Sequence, residues 1–536
     1  MAIVAGALLV AIAIGMVRAS PAPVAAAPNM VEEGGQAGLG QVYQGDFDYF
    51  VGGGVAVFDC NEDGKPDVFT AGGTNPARLY RNVGGVGGPI RFQALPAPEL
   101  SHVTGAYPLD IDSDGITDLA VLRIGENMLL RGDGDCSFGR ANEEWGFDGG
   151  NEQTEAFSAT WERGASLPTL AVGNYLEQDP PSGAAVGCAQ NQLFRPAQDG
   201  GYGQPIGLDP SWCALSMLFS DWDHSGQVDL RVSNDRHYYL DGEEQLWNVS
   251  PGEPPRLYTR AEGWQKLQIW GMGIASQDLT GDGRPEVFLT SQSDNKLQTL
   301  THDSGSPDYS DIALRTGAIA YEPYAGDTDM PSTAWHPEFE DVNNDGYMDL
   351  FISKGNVEAM PDYAARDPNN LLIGQPGGSF QEGAMDAGIV RFSRGRGAAM
   401  ADFNLDGMLD LVVINRREPA SLFRNVGTGT AEGPVRIGNW LAVRLHQPAP
   451  NTDAIGAWVE VEAGGRSISR ELTVGGGHAG GQLGWVHFGL GNAERAKVRV
   501  QWPNGAESEW MTVDANSFID IDRAAADVAY WQPGEG

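Results

Sequence analysis

Six nine-residue segments of the chain share one arrangement of oxygen-bearing residues. Each has Asp at position 1, Asp, Asn or Thr at position 3, Asp or Ser at position 5, Gly at position 6 and Asp or Glu at position 9. Oxygens at positions 1, 3 and 5 of a tight loop converge on one point, and Ca²⁺ prefers about six to eight oxygen ligands. The glycine permits the positive φ that turns the chain sharply. We therefore predict up to six bound Ca²⁺ ions, one in each loop.

The predicted side-chain ligands occupy positions 1, 3, 5 and 9, with the carbonyl at position 7 completing the cage. They are Asp59, Asn61, Asp63, Asp67, Asp110, Asp112, Asp114, Asp118, Asp221, Asp223, Ser225, Asp229, Asp278, Thr280, Asp282, Glu286, Asp341, Asn343, Asp345, Asp349, Asp402, Asn404, Asp406 and Asp410. The loop from Asp110 carries four acids and is predicted to bind tightest, because charged ligands raise affinity. The loops containing Ser225 and Thr280 are predicted to bind weakest.

Other interpretations of the loops fit the sequence less well. An EF-hand requires Glu at position 12 and flanking helices, whereas here a short apolar run typical of a strand follows position 9. Zinc is disfavoured because no Cys or His recurs at the ligand positions, and Mg²⁺ because it rarely uses all-protein cages. Metal-free turns between strands are the remaining alternative. Six copies in one register favour metal binding.

The spacing of the loops predicts the architecture. Successive loops start 51 to 63 residues apart, except for one gap of 111 residues that contains a seventh copy, Trp161–Val172, without suitable ligands. A strand-and-turn element follows most loops, as in Arg78–Gly84 and Ser421–Gly427. Repeated short strands with Gly-rich turns indicate an all-β, seven-bladed β-propeller. The stretch Val51–Phe58 and its N-terminal flank are expected to help close the ring.

The C-terminal part of the chain has a different pattern. From Trp440 onwards, short segments alternate apolar and polar residues, as in Trp458–Glu462 and Lys497–Trp502. Alternation places apolar side chains on one face of a strand. Residues 438–522 are therefore predicted to form a small β-sandwich or barrel.

These motifs resemble those of a known family. The loops and the strands after them resemble the FG-GAP/VCBS repeats of integrin α-subunit-type propellers. The phrases Asp453–Ala457, Gly475–His478, Val486–Gly491 and Val500–Gly505 resemble the ASPIC/UnbV domain. Together they resemble the cartilage acidic protein family, in its bacterial-type form. The resemblance implies a secreted or surface-associated Ca²⁺-binding scaffold, with ligands at positions 1, 3, 5 and 9, no site in the third unit and no catalytic residues.

Four segments are predicted along the chain. Residues 1–27 are a signal peptide or N-terminal anchor, 40–436 the propeller, 438–522 the ASPIC/UnbV-like domain and 523–536 a C-terminal tail. The apolar stretch Ala2–Val17 suits a signal peptide and is short for a membrane span, although a basic start is missing. Export without a membrane span in the mature form is expected, to a secreted, periplasmic or cell-surface location, with a retained anchor as the alternative.

The charge of the chain restricts its partners. With 72 acidic and 34 basic residues the net charge is −38, which disfavours nucleic acid and anionic membranes. Nineteen of the acids stand at loop positions 1, 3, 5 and 9. Ca²⁺ would offset part of their repulsion, so stability is expected to depend on the metal.

The four cysteines fit an oxidising compartment. They allow three pairings, of which we favour Cys188 with Cys213 and, by remainder, Cys60 with Cys136. The alternative is free buried thiols.

Three functions follow from the sequence. The first is a Ca²⁺-stabilised extracellular scaffold that binds protein or glycan, as in adhesion. The alternatives are a polysaccharide lyase or hydrolase and an accessory protein of a biosynthetic pathway. No catalytic residue is predicted, since metalloprotease, serine-hydrolase and P-loop motifs are missing. Arg131–Asp133 is an Arg-Gly-Asp tripeptide, the sequence that integrins read, but its place in a strand-end turn explains it better than adhesion. Gly475–Gly480 matches the nucleotide-binding pattern G-x-G-x-x-G without a following helix, which indicates a flexible or tightly turned loop.

Overall fold

The computed structural model describes residues 25–96, 100–178, 187–197, 200–235, 240–302, 305–319, 330–525 and 527–534. The strands of this part of the chain form nine four-stranded sheets. The apolar stretch Ala2–Val17 lies outside the described residues. Among those that are described, no helix has the length and apolar character to span a membrane.

Residues 30–425 contain the first twenty-eight described strands. In chain order they are β1 (Met30–Glu32), β2 (Val55–Phe58), β3 (Asp67–Thr70), β4 (Arg78–Asn82), β5 (Phe92–Ala94), β6 (Val103–Leu109), β7 (Asp118–Arg123), β8 (Met128–Gly134), β9 (Ser137–Arg140), β10 (Thr154–Thr160), β11 (Thr169–Asn174), β12 (Asn191–Phe194), β13 (Ile206–Leu208), β14 (Ala214–Ser220), β15 (Asp229–Asn234), β16 (Gln245–Asn248), β17 (Arg256–Leu257), β18 (Gly271–Gln277), β19 (Glu286–Ser291), β20 (Lys296–Leu300), β21 (Tyr309–Asp311), β22 (Ala334–Glu340), β23 (Asp349–Lys354), β24 (Asn370–Gly374), β25 (Phe380–Glu382), β26 (Gly395–Ala401), β27 (Asp410–Asn415) and β28 (Ser421–Asn425).

From β2 to β25, each run of four consecutive strands forms one antiparallel sheet, and a further sheet combines β26, β27, β28 and β1. The first strand of each sheet contacts the first strand of the next, from β2 through β6, β10, β14, β18 and β22 to β26, and β26 contacts β2 again. This closed order is that of a β-propeller, which confirms the predicted fold class. The apolar runs that follow the six nine-residue loops are the second strands of their sheets, as expected.

The ring is closed by a strand that the sequence did not reveal. β1 pairs antiparallel with β28, with Met30 opposite Asn425 and Glu32 opposite Phe423. Glu33 follows and forms a buried ion pair with Arg424 at 2.8 Å. The expected role of Val51–Phe58 itself is wrong, because its strand part is β2, the first strand of another sheet. The expected role of its N-terminal flank is confirmed, because residues 42 and 43 form bridges with residues 419 and 416, between β27 and β28 of the last sheet of the ring. The closing strand also lies before residue 40, the predicted start of the propeller.

Short helices lie in segments that connect the strands of the ring. They are α1 (Gly34–Ala37), α2 (Ala313–Thr316), α3 (Ala384–Ala387) and the 3₁₀ turns Phe47–Tyr49 and Arg260–Glu262.

The C-terminal domain consists of two more sheets. Its strands are β29 (Asn439–His446), β30 (Trp458–Ala463), β31 (Arg466–Glu471), β32 (Val486–Gly491), β33 (Arg495–Gln501), β34 (Met511–Asp514), β35 (Ser517–Asp522) and β36 (Asp527–Trp531). The sheets have the orders β32-β29-β35-β36 and β31-β30-β33-β34, and residues such as Val443, Val459 and Phe488 form the core between them. The predicted tail 523–536 is wrong in part, since β36 extends the first sheet beyond residue 522.

The loop 474–483 of the C-terminal domain, here called the axial loop, lies along the centre of the ring. Its backbone exchanges hydrogen bonds with first strands: Val57 N–H donates to Gly481 O at 3.1 Å, Ala106 N–H to Ala479 O at 3.2 Å, and Gly476 N–H to Met217 O at 2.7 Å. First strands have one edge that no neighbouring strand of their own sheet covers, and unpaired buried backbone groups are costly. The axial loop satisfies part of that edge.

His478 anchors the axial loop at the far end of the ring. Its side chain is fully buried, Nε2 lies 2.5 Å from Val51 O, and its N–H donates to Nδ1 of His336 at 3.0 Å. Burial lowers the pKa of His478 to about 4, so the imidazole of His478 is neutral at pH 7. Gly475–Gly480 is predicted to be flexible or tightly turned, and the structure has it tightly turned and largely buried.

Both predicted disulfides are present. Cys60 pairs with Cys136 and Cys188 with Cys213. The first joins the loop that starts at Asp59 to the turn between β8 and β9 of the neighbouring sheet. The second joins the segment before β12 to the segment before β14.

The close approach of the axial loop gives a test of its role. A Cβ at Gly480 would lie 2.0 Å from Val55 O, whereas one at Gly40 would meet nothing within 4 Å. Neither glycine has a positive φ, so the two Gly→Ala changes differ only in space. We expect Gly480→Ala to lower the free energy of unfolding by about 1–3 kcal/mol or more, as overpacking does, with Gly40→Ala near wild type. Calorimetric melting of the full chain measures both, and equal melting temperatures would contradict the placement of the loop.

Candidate metal centre

The structure places all six candidate loops at one end of the ring, here called the loop face. Each loop joins the first and second strands of its sheet, and position 9 is the first residue of the second strand in all six. Because every sheet runs through the ring in the same direction, the same hairpin returns on the same side. Each loop therefore places positions 1, 3 and 5 in the turn and position 9 at the start of the second strand.

The Asp at position 1 organises each loop through backbone amides. In the loop from Asp402, Oδ1 accepts the N–H of Asp406 at 3.0 Å and Oδ2 accepts the N–H of Gly407 at 2.7 Å. The same pair of bonds, from positions 5 and 6, occurs in the loops from Asp59, Asp110, Asp221 and Asp341. In the remaining loop Gly281, at position 4, replaces position 5.

The backbone of the loops is left-handed at two positions. The glycine at position 6 has a φ between +79° and +90° in all six copies, as predicted. Position 4 also has a positive φ, although it is Glu, Ser, His, Gly, Asn or Leu. The paired turns aim successive N–H groups at the acid of position 1.

The acid at position 9 has a second role that sequence reasoning missed. Asp410 accepts the N–H of Phe403 at 3.0 Å and the N–H of Asn425 at 2.8 Å. Phe403 belongs to the loop and Asn425 ends the third strand, so one carboxylate ties loop to strand. Asp67, Asp118 and Asp349 make the same two contacts. The Asn or Gly at the end of the repeated third strand is the signal that could have indicated it.

Burial of these acids makes their charge costly. Burial raises the pKa of Asp118 to about 8 and that of Asp67 and Glu286 to about 7. Burial, together with neighbouring carboxylates, also holds the pKa of Asp349 and Asp410 well above the usual range. A cation among them would favour the charged forms.

Several oxygens in the loops are suited to a cation. At position 3, Oδ1 of Asn61, Asp223 and Asn404 is buried and has no hydrogen-bond partner among the described residues. In the loop from Asp110, oxygens of Asp110, Asp112 and Asp118 lie within 4.8 Å of one another. Buried polar atoms are normally paired, so the unpaired oxygens of three loops, and the converging carboxylates of a fourth, fit a hard cation.

The third unit has an internal cation in place of these ligands. Its loop, residues 161–168, contains Glu162, which accepts a bond from Thr169 at position 9 at 2.9 Å. Arg195, which directly follows the third strand, pairs with Glu162 at 2.5 Å and donates to Ser250 O at 2.8 Å. The guanidinium of Arg195 thus supplies positive charge in a loop whose residues Trp161, Arg163 and Ala165 offer no oxygen ligands.

The C-terminal domain covers the loop face. Trp485 Nε1 donates to Gly64 O at 3.0 Å, Asn451 N–H to Ser113 Oγ at 3.0 Å, and Asp221 N–H to Glu471 at 2.8 Å. His487 Nε2 lies 2.6 Å from Asn344 Oδ1. Four loops therefore touch the domain through their own backbone or side chains, and the axial loop continues from this contact into the ring.

Family models match both parts of the chain. Residues 447–528 match "ASPIC and UnbV", and residues 59–121, 278–352 and 341–413 match "FG-GAP-like repeat". The chain contains FG-GAP-like repeats and an ASPIC/UnbV domain. The resemblance drawn from the sequence is thereby confirmed, and the ASPIC/UnbV domain is the part that covers the FG-GAP-like loops.

Curated relatives support the same assignment. The chain is 34% identical over 324 residues to cartilage acidic protein 1 of Xenopus tropicalis, covering 49% of either chain. It is 26% identical to cartilage acidic protein 1 of Homo sapiens, covering 47% of this chain and 36% of the relative. The chain thus spans about half or less of the length of the relatives it matches.

Solved structures give only a distant likeness. BBS1N in complex with ARL6DN aligns with a TM-score of 0.39 and 10% identity, over 71% of this chain and 93% of that chain. A lectin of Agrocybe aegerita that recognises non-reducing terminal N-acetylglucosamine aligns with a TM-score of 0.39 and 15% identity, over 69% and 93%.

Two loop glycines separate backbone strain from contact with the ASPIC/UnbV domain. Gly407 and Gly115 have φ of +83° and +90°, but a Cβ on Gly407 would lie 1.8 Å from Trp440 Nε1 while one on Gly115 meets nothing within 4 Å. Both Gly→Ala changes should cost about 1–2 kcal/mol for the left-handed backbone. Only Gly407→Ala is expected to loosen the domain and speed proteolysis of the connector 426–438. Equal cleavage rates of the two variants would contradict this contact.

The ion pair of the third unit gives a further prediction. Arg195→Met keeps much of the side-chain volume but leaves the largely buried Glu162 without its cation. We expect the free energy of unfolding to fall by about 1–3 kcal/mol, measured by denaturant titration. Arg140→Met, which removes a surface pair with Glu126, is the control and should change stability by about 1 kcal/mol or less. A neutral Arg195→Met would show that the pair does not replace a metal.

Proposed function

We propose that this protein is an exported Ca²⁺-binding propeller that acts as a rigid scaffold for binding protein or glycan. Two observations carry the metal assignment: a buried, unpaired oxygen at position 3 in three loops, and three converging carboxylates in the loop from Asp110. The repeats and the ASPIC/UnbV domain support an interaction scaffold of extracellular type. The proposal includes no catalytic step.

Ca²⁺ would be held by positions 1, 3, 5 and 9 of each loop and by the carbonyl at position 7. Its role here is structural, because the same carboxylates already order the loop backbone and tie it to the third strand. A bound ion supplies the positive charge that lets the buried acids stay ionised together. Up to six ions are expected, with the third unit served by Arg195.

The export of the protein is supported by its disulfides. Four described cysteines form two bonds, and disulfides persist in oxidising compartments. The apolar N-terminal stretch fits a signal peptide, and we propose a secreted, periplasmic or cell-surface location.

Binding is proposed on the face opposite the loop face, here called the open face. It is formed by segments that join second to third strands and by segments that lead into first strands, including 44–54, 355–369, 391–394 and 416–420. The ASPIC/UnbV domain occupies the loop face, which leaves the open face as the broad end of the ring available to a partner. Loops on a rigid scaffold are the usual carriers of binding residues.

Removal of Ca²⁺ tests the metal sites. We expect the melting temperature to be higher in excess Ca²⁺ than in EGTA, because each site saturated at a hundredfold over its dissociation constant adds about 2.7 kcal/mol. Calorimetric titration should count up to six ions, and Asp112→Ala should remove one. Asp362→Ala, which changes the same charge at an exposed residue outside the loops, should leave the count intact. Equal melting in Ca²⁺ and EGTA would overturn the metal assignment.

A further inference from the structure

The open face has a rigid floor in the sector between the sheets β22–β25 and β26–β1. Arg396 is fully buried, lies 4.0 Å from the Trp335 ring centroid, and donates to Phe50 O and Val357 O at 2.9 Å each. The buried Arg416 pairs with Glu358 and donates to Asp46 O at 2.9 Å. These two arginines fix segments 44–54 and 355–369 to each other. Side chains projecting from them stand on a preorganised surface.

Arg366, Phe392 and Arg394, here called the arginine–aromatic patch, lie on this sector. The Arg366 guanidinium is 5.6 Å from the Phe392 ring centroid, and Phe392 is 45% exposed. Arg366 is exposed and Arg394 half-buried. Within the described ranges, neither guanidinium has a carboxylate oxygen within 4.0 Å, in contrast to Arg391 and Arg417 nearby, which pair with Glu32 and Glu358.

Two uncommitted arginines are notable in a chain of net charge −38. Acids outnumber bases by more than two to one, yet these guanidinium groups keep their donors free. Guanidinium forks bind carboxylate and sulfate groups bidentately. The negative net charge repels anions from much of the surface, so an anionic ligand is favoured where guanidinium groups lack carboxylate partners, as at this patch.

We propose that the arginine–aromatic patch binds a sulfated or carboxylated polysaccharide, a substrate class that rests on the scaffold function proposed above. Arg366 and Arg394 take the anionic groups of the chain, and the exposed part of the Phe392 ring packs against the apolar face of a sugar ring. Among the described residues this sector of the face is exposed, which suits a passing polymer. A standard protein partner needs about 800 Å² of interface, more than three side chains provide, and this favours polysaccharide over an acidic protein.

Dextran sulfate and carboxymethyl dextran, with uncharged dextran as control, test the proposal on the full chain in Ca²⁺. We expect both anionic polymers to bind, dextran not to bind, and binding to weaken with salt because the contacts are ionic. The preference between the two polymers identifies sulfate or carboxylate as the better ligand. Retention of dextran equal to that of the charged polymers would overturn the role of the arginines.

Matched variants locate the site. Arg366→Ala with Arg394→Ala should weaken binding at least about tenfold, since the charged hydrogen bonds to the polymer are lost. Arg495→Ala with Lys497→Ala removes the same charge from exposed positions on the ASPIC/UnbV domain and should have little effect. Phe392→Ala should weaken binding with unchanged salt dependence. Equal affinity of the two double variants would overturn the site.

Two further measurements separate the possible failures. Poly-glutamate binding as tightly as dextran sulfate would overturn the choice of polysaccharide over acidic protein. The Ca²⁺-dependent rise in melting temperature is measured on the same variants. Loss of polymer binding by all proteins with that rise intact would overturn this inference alone, whereas absence of the rise would concern the metal sites.

Discussion

The structure depends on how the inner edges of its sheets are satisfied. Closing sheets into a ring packs the faces of each sheet against its neighbours and away from water. It leaves the first strand of each sheet with an unpaired edge that points at the axis of the ring. In this protein the axial loop takes up part of that edge, through backbone groups of Val57, Ala106 and Met217 among others. Because the loop belongs to the ASPIC/UnbV domain, the domain must lie on the axis, directly over the six candidate loops. The position of the second domain thus follows from the hydrogen bonding of the first.

The loop face illustrates two ways of neutralising one kind of turn. Six turns gather carboxylates and amide oxygens, and the seventh gathers a carboxylate and a guanidinium, Glu162 with Arg195. The electrostatic requirement is similar in each, since an acid near the start of the turn is removed from water and needs positive charge. The acid at position 9 ties the loop to the third strand through two backbone amides, and the proposed Ca²⁺ would bind at the same carboxylate.

Much of the fold could be predicted from the sequence because it depends on side chains of recognisable type and spacing. The loops, the strands after them and the disulfide pairs involve residue types with strong local preferences. β1 has three residues and no alternation, so Met30–Glu32 gave no signal of its partner. The axial loop acts through its backbone, and glycines such as Gly480 reveal close approach without saying to what. The arginine–aromatic patch joins Arg366 and Phe392, whose proximity depends on the packing of two neighbouring sheets.

The closure of the ring by its two ends has a consequence for how the chain acquires its structure. β1 needs β28, almost 400 residues later, and His478 reaches Val51 across 427 positions. Contacts of such separation are entropically expensive to form and slow folding. A chain that emerges from its N-terminus would therefore hold unpaired strand edges until its last domain arrives. With export as proposed above, release of the whole chain, rather than the arrival of each repeat, is the event that permits the native ring.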